Sequence, residues 1–267
     1  MMGAIIGDIV GSRFEHHPIK RKQFRLFHDD CRFTDDTVAT CAVAKALLEW
    51  DGSDYDALSK IVTSNLQDLG RNYPYCGWGH MFRQWIFSDN PQPYGSAGNG
   101  AAMRISPVAW AMKDREFDDA RSVAFYVTAV SHDPIKCEDA LELSEATWFA
   151  LQDFNQFDLR RYVWKMFNHH VPTVEEISRT YKFDVTCHGT VPYALFCVDQ
   201  ADNFVDAIRN AVCLGGDSDT LAACAGTLAE AKWGIPSIIR DYAETYLDDR
   251  LLEIIHDFEE KYPPKIV

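Results

Sequence analysis

Two short segments combine acidic and hydroxyl side chains where an apolar, periodic run begins. The first is Thr34-Asp35-Asp36-Thr37 and the second is Gly215-Gly216-Asp217-Ser218-Asp219-Thr220. Taken singly, each reads as an ordinary helix start. Thr34 caps the first and Asp217 or Ser218 the second, with acids placed where the helix dipole favours them. Taken together, they offer carboxylates and hydroxyls as a set of hard oxygen donors. If the two starts meet, the carboxylates repel one another unless they are protonated or offset by a cation. Mg²⁺ and Mn²⁺ suit such donors, and no Cys/His spacing of the zinc type competes for a metal.

Three further stretches could bear on the same chemistry. Gly7-Asp8-Ile9-Val10-Gly11-Ser12-Arg13-Phe14-Glu15 places Asp8 and Glu15 seven apart, on one face if the segment is helical. Its glycines permit close approach, and a glycine-softened surface helix is the plainer alternative. The segment from Gly95 through Ser96, Ala97, Gly98, Asn99 and Gly100 to Met103, Arg104 and Ile105 is a glycine-rich loop running into a helix. Its backbone N–H groups would cradle an anion, or it is simply a turn. It lacks the Gly-Lys-Ser/Thr ending of a P-loop, so a triphosphatase of that type is excluded. Ser131-His132-Asp133-Pro134 is a site histidine or a capping turn. Gly189-Thr190-Val191-Pro192 is a ligand-edge loop or a turn that starts a helix. Tyr73, Tyr75, Trp78, Phe82 and Trp85 read as core rather than as a base-stacking platform.

Helices must position these groups. Helical periodicity runs over 36–50, 136–153 and 218–233, and further helices are expected at 54–69, 78–87, 101–113, 118–131, 158–168, 202–213, 236–247 and 249–260. Small side chains in Leu221-Ala222-Ala223-Cys224-Ala225-Gly226 suit close interior packing. The best strand signal, 182–186, is short, and no succession of strands exists to build a sheet. The expected fold is therefore all-α, a compact single domain over 1–267. Loops break the pattern at 88–100 and 184–192.

The 267 residues carry 40 acidic and 26 basic side chains, a formal charge of −14. That balance argues against blanket electrostatic binding of nucleic acid. No apolar run approaches the roughly 20 residues that span a bilayer, and the first residues lack a basic leader. Eight cysteines without a C-x-x-C pair read as free buried thiols. A cytoplasmic protein without membrane partners is the expectation.

Taken together and in this order, the segments resemble the ADP-ribosylglycohydrolase family. The likeness runs from Gly7-Asp8, Gly11 and Glu15 through Thr34–Thr37 and Gly98-Asn99-Gly100 with Met103-Arg104 to Gly215–Thr220. It implies a multi-helix fold with a central cleft holding two Mg²⁺ (or Mn²⁺) ions, and hydrolysis at C1″ of an ADP-ribosyl group on a protein or a small molecule. By position, Thr34, Asp35, Asp36, Asp217, Asp219 and Thr220 would be metal ligands, Asp35 serving catalysis as well. Glu15 falls where the family has a mobile glutamate near the metals, as general base or proton shuttle. Ser96, Gly98, Asn99 and Gly100 would line the pyrophosphate and ribose, with Gly77, His132 and Val191 at the rim. Where relatives often carry an aromatic residue, this chain has Ala97, and Tyr94 is the candidate substitute.

Two other readings stay open. One is a helical metal-dependent phosphohydrolase of the His-Asp type, built on His132-Asp133 with His16, His17 or His28. The other is a non-catalytic ADP-ribose binder. The sequence also leaves open which linkage is cleaved (arginine, serine, an acetyl ester or a nucleobase) and the oligomeric state.

Overall fold

Half of the helices begin where a short polar side chain takes up an orphaned N–H, the usual way such donors are satisfied. A computed structural model describes residues 1–152 and 158–267, and shows fourteen α-helices among them. In chain order these are α1 (Met2–Gly11), α2 (Asp35–Glu49), α3 (Tyr55–Asn72), α4 (His80–Ile86), α5 (Ser106–Ala111), α6 (Phe117–Ala129) and α7 (Glu138–Leu151). They continue as α8 (Leu159–Met166), α9 (Val174–Thr180), α10 (Cys187–Asp199), α11 (Phe204–Leu214), α12 (Ser218–Trp233), α13 (Ser237–Glu244) and α14 (Asp249–Lys261). Asp54, Asn203 and Asp248 cap α3, α11 and α14 through their side chains, and Thr173 with Glu176 forms a reciprocal capping box on α9.

The all-α expectation holds, in one compact body. Its centre is α12, buried on every side from Ser218 to Ala231, with α1, α11, α10 and α7 packed around it. The closest partner is α1, which runs antiparallel to it. Gly3, Gly7 and Gly11, four apart, lie against Gly226, Ala222 and Ser218, also four apart. A Cβ on Gly7 would overlap the Ala222 carbonyl, and one on Gly11 would stand 2.5 Å from Asp219 Cα. The Gly3 N–H donates to the buried Glu230 carboxylate at 2.7 Å, fixing the far end of the pair.

Several expectations need correction. Residues 7–15 are not one helix. α1 ends at Gly11, the Ser12 N–H bonds back to the Asp8 carbonyl, and the chain turns again at Phe14. Asp8 and Glu15 therefore share no helical face. Nor is this a surface helix, since all ten residues of α1 are buried.

Residues 182–186 form no strand. Thr186 makes a lone bridge with Gly98 and then caps α10, and no neighbouring strand extends the pairing among the described residues. The helix expected at 101–113 is a 3₁₀ turn at Asn99–Ala101 followed by the shorter α5. α9 lies where the sequence predicts no helix, and α10 replaces the loop expected from Gly189 and Pro192. Pro192 sits in the second turn of α10, where its missing N–H deprives only the His188 carbonyl four residues back. The last residue expected in the 136–153 helix, Asp153, lies outside the described residues. No described helix is long and apolar enough to cross a membrane, and all eight cysteines are free thiols.

Candidate active site

The starts of α2 and α12, the turn after α1 and the loop 94–100 meet in one cleft of about 660 Å³. Glu15, Thr34, Asp35, Asp36, Asp217, Asp219 and Thr220 all line it, as do Gly77, Ser96, Gly98, Asn99, Gly100 and His132. The two acidic segments are far apart in the chain but in direct contact, because the Thr220 hydroxyl donates to Asp36 Oδ2 at 3.3 Å. Carboxylate oxygens of Glu15, Asp217 and Asp219 lie within 4.8 Å of one another. Val191 is the exception among the expected residues. It is fully buried in α10, because its helix turns it into the core, and the cleft wall on that side is Phe183 and Val185.

Asp8 holds the acidic end in place. One oxygen, Oδ1, accepts from the Thr34 hydroxyl at 2.7 Å; the other, Oδ2, accepts from the backbone N–H groups of Thr34 and Thr37 at 2.9 and 3.0 Å and from the Thr37 hydroxyl. Thr34 in turn accepts from the Asp36 N–H, as its capping role requires, which fixes its hydroxyl beside the carboxylates. Asp8 thus serves the site from behind. An asparagine there presents an amide donor to groups that are themselves donors. Asp8→Asn is therefore expected to cost about 1–3 kcal/mol of stability and to weaken divalent-ion binding. Thermal melts and calorimetric Mn²⁺ titration check both effects.

Gly77 and Asn99 position the carboxylates from the other side. Gly77 has φ +123°, and a Cβ there would stand 2.6 Å from Asp35 Oδ1, so glycine alone leaves room for that carboxylate. The Asn99 amide donates to Asp217 Oδ2 at 2.6 Å and to the Thr190 hydroxyl at 3.1 Å. Asn99 lines the cleft, yet both its N–H donors are committed to the protein. In the loop beside it the Ser96 hydroxyl accepts from the Gly98 N–H at 3.0 Å, and the Gly98 carbonyl accepts from the Cys187 thiol at 3.1 Å.

Packing this many acids together has an electrostatic cost. Burial, and then the neighbouring charges of Asp8, Asp217 and Glu15, lifts the Asp35 carboxyl to about 8. Burial with Asp8 and Asp219 pushes Asp36 well above its ordinary range, and burial with Asp217 does the same to Asp219. Burial raises Asp217 too, against hydrogen bonds from Asp219, Asn99 and Thr220 that lower it. Glu15, less buried, is raised by desolvation, and His16 partly offsets that. Asp36 Oδ1 is buried with no hydrogen-bond partner. An orphaned carboxylate oxygen among mutually repelling acids fits a divalent cation, and the donors are all oxygen.

The metal-free protein should therefore be sensitive to pH. Asp35 binds its proton more tightly folded than unfolded, so between about pH 5 and the folded value of about 8 the folded state carries more protons. Stability then declines as pH rises through that window. Melting curves in chelator are expected to fall from about pH 5 to 8, and added Mg²⁺ to cancel the fall; a rising curve in chelator contradicts this.

Sequence patterns miss Arg32, Cys76 and the apolar residues Met81, Phe183 and Val185 in the cleft wall, and they offer His16 only as a metal-ligand candidate of the His-Asp reading. None belongs to a recognisable motif. Phe183 and Val185 alternate in the short segment with strand character, which is their only signal. Tyr75, expected in the core, is 89% exposed at the cleft mouth, whereas Trp78, Phe82 and Trp85 are buried as expected.

The sequence model of the ADP-ribosylglycohydrolase family matches residues 1–265. Among curated proteins, the chain is 24% identical to the ADP-ribosylhydrolase ARH3 of Danio rerio, over 89% of this chain and 82% of that one. It is 23% identical to the ADP-ribosylarginine hydrolase Tri1 of Pseudomonas putida (strain GB-1), over 91% of this chain and 72% of that one. Among solved structures, an ADP-ribosylglycohydrolase-related protein complex superposes with a TM-score of 0.60 at 22% identity, covering 97% of this chain and 91% of that chain.

Proposed function

The chain belongs to the ADP-ribosylglycohydrolase family, and from that premise we propose that it is a Mg²⁺- or Mn²⁺-dependent hydrolase that cleaves the C1″ bond of an ADP-ribosyl group and releases ADP-ribose. The observation that carries this reading is the convergence of Glu15, Asp35, Asp36, Asp217 and Asp219 on one cleft that also holds a glycine loop. Thr34, Asp35, Asp36, Asp217, Asp219 and Thr220 would hold two divalent ions. When bound, such ions would supply Lewis-acid chemistry, lowering the pKa of a hydroxyl or water oxygen.

The remaining work falls to the chain's own groups. Glycosyl bonds of this kind break through an oxocarbenium-like transition state, so the ribose must be fixed and a proton moved as water adds. Glu15 keeps a side chain 24% exposed to the cleft, and burial raises its proton affinity, the direction a general base requires. Asn99 keeps Asp217 oriented, and Asp8 keeps Thr34 and the first turn of α2 in register. Ser96, Gly98 and Gly100 present the loop against which the diphosphate would lie, with Phe183, Val185 and Tyr94 excluding water beside it. The attraction for an anionic ligand in so acidic a chain then comes from the bound cations and from this loop.

The His-Asp phosphohydrolase reading finds no support in the geometry. Asp133 spends its carboxylate on the N–H groups of Ile135 and Lys136, and His132 Nδ1 is engaged with Ser131. Among the described residues, the acidic cluster contains no histidine.

The test is release of ADP-ribose from a panel of ADP-ribosylated arginine, serine and small-molecule substrates, with Mg²⁺, Mn²⁺ or chelator. Turnover on at least one substrate that disappears in chelator is expected. Undiminished turnover in chelator overturns the metal-dependent reading, and binding of ADP-ribose without turnover on any substrate favours the non-catalytic binder.

A further inference from the structure

Arg104 is a fully buried arginine whose guanidinium meets no carboxylate among the described residues. It lies behind the glycine loop with the Phe82 ring centroid at 5.6 Å, and its Nε and Nη1 have no hydrogen-bond partner. Burial lowers its proton affinity, but only to about 10, so it stays cationic at neutral pH. An unpaired buried charge is expensive and needs a reason. Its one side-chain partner supplies it: Arg104 Nη2 donates to Ser131 Oγ at 2.9 Å.

Counting donors fixes the protonation of the neighbouring imidazole. A guanidinium only donates, so Ser131 Oγ accepts from it and keeps its own hydrogen to give. The hydroxyl lies 2.9 Å from His132 Nδ1 and makes no hydrogen bond to a described backbone carbonyl. Were Nδ1 protonated, two donors would face Oγ and the buried hydroxyl hydrogen would have no acceptor. Nδ1 must therefore accept, which leaves the ring proton on Nε2. A second ring proton is opposed by burial and by the charge of Arg104. Tyr94, whose ring centroid lies 6.2 Å away, is the other titratable group facing the imidazole. Nε2 has no partner in the protein among the described residues. It lies under the glycine loop, 3.2 Å from where a Cβ on Gly100 would be, and His132 lines the cleft.

We propose that Arg104, acting through Ser131, locks His132 as the Nε2–H tautomer, a permanent hydrogen-bond donor to an anionic ligand oxygen held on the glycine loop. Arg104 and Ser131 are then positioning residues, and the buried charge serves to set the proton on the imidazole through the serine hydroxyl rather than to touch ligand. Identifying that oxygen as a phosphate of ADP-ribose rests on the hydrolase reading above; the tautomer does not.

The experiment uses the full chain labelled with ¹⁵N-histidine, with His132 assigned by loss of its signals in His132→Gln. Long-range ¹H–¹⁵N spectra without ligand are expected to show the Nε2–H pattern for His132. In Ser131→Ala the pattern is expected to shift to a mixture of tautomers, and in Arg104→Met likewise, while Arg104→Lys, which still donates to Ser131, retains it. ADP-ribose affinity measured by calorimetry is expected to fall about tenfold in Ser131→Ala, as loss of one oriented hydrogen bond to a charged group implies. An Nδ1–H pattern in the wild type, or a spectrum unchanged in Ser131→Ala, overturns the relay even if Arg104→Met does not fold. If wild-type protein binds no ADP-ribose while the Nε2–H pattern is present, the phosphate assignment falls together with the hydrolase reading and the relay stands.

Discussion

Asp219→Ala is expected to abolish turnover, by at least about a thousandfold, and at the same time to stabilise the chelator-treated protein. Both effects come from one cause. Asp219 sits in the first turn of α12 at the meeting point of the acidic set, its oxygen within 4.8 Å of those of Glu15 and Asp217, and its charge raises the proton affinity of Asp36 across the cleft. Removing it takes away an oxygen donor from the proposed divalent-ion site. It also relieves a repulsion that burial makes severe, so the empty site becomes easier to fold. Function and stability are thus opposed at this position, as they commonly are where a fold concentrates like charge for a purpose. The measurements are initial rates of ADP-ribose release and melting curves with and without Mn²⁺. The wild type is expected to gain stability on adding metal and the variant not to. A variant with near-normal rates, or one that keeps a full metal-induced shift, shows that Asp219 is not a ligand.

Gly7→Ala is expected to be among the most damaging single-methyl additions in the molecule. The added Cβ would overlap the Ala222 carbonyl, which belongs to the backbone of α12 and has no rotamer by which to move aside. Overpacking in a core costs about 1–3 kcal/mol when side chains can yield, and more where only backbone can. At about 2–4 °C per kcal/mol for a chain of this size, the midpoint should drop by roughly 6–12 °C or the protein should fail to accumulate. Ala4→Gly, in the preceding turn of the same buried helix, serves as the comparison, because it removes a methyl and leaves the backbone contact intact. Equal midpoints for Gly7→Ala and the wild type contradict the close helix pair.

The fold class and most of the residues that line the cleft are legible in the sequence because their signals are local. A capping threonine, acids in a first turn and a 3.6-residue apolar period all write themselves into a few consecutive residues, and α2, α3, α12 and α14 appear close to where that pattern places them. α10 is not legible, since Gly189 and Pro192 carry a breaking propensity that its burial against α12 and α7 overrides. The same limit explains Val191: a rim residue and a core residue differ only in which way a helix turns, and a turn that starts a helix at 189–192, one of the two readings, does not say which way Val191 faces. Asp8 stands out as an acid but not in its role, because its partners Thr34 and Thr37 lie 26 and 29 residues away and only the tertiary fold joins them. Arg104 and Ser131-His132 stand in segments that the sequence singles out, but the hydrogen bonds that join them are side-chain geometry and are not legible there.

The antiparallel pair of α1 and α12 has a consequence for how the chain comes into being. The Gly3–Glu230 bond spans 227 positions, and all of the intervening chain must be synthesised before α1 meets its partner. Until then a segment rich in Ile and Gly, apolar but for Asp8, waits uncovered, and the support that Asp8 gives to the start of α2 has no fixed platform. Long-range closure of this kind slows folding and exposes the nascent chain to aggregation. The acidic cluster therefore comes together late, when α12 docks and brings Asp217 and Asp219 to Asp35 and Asp36 at the start of α2.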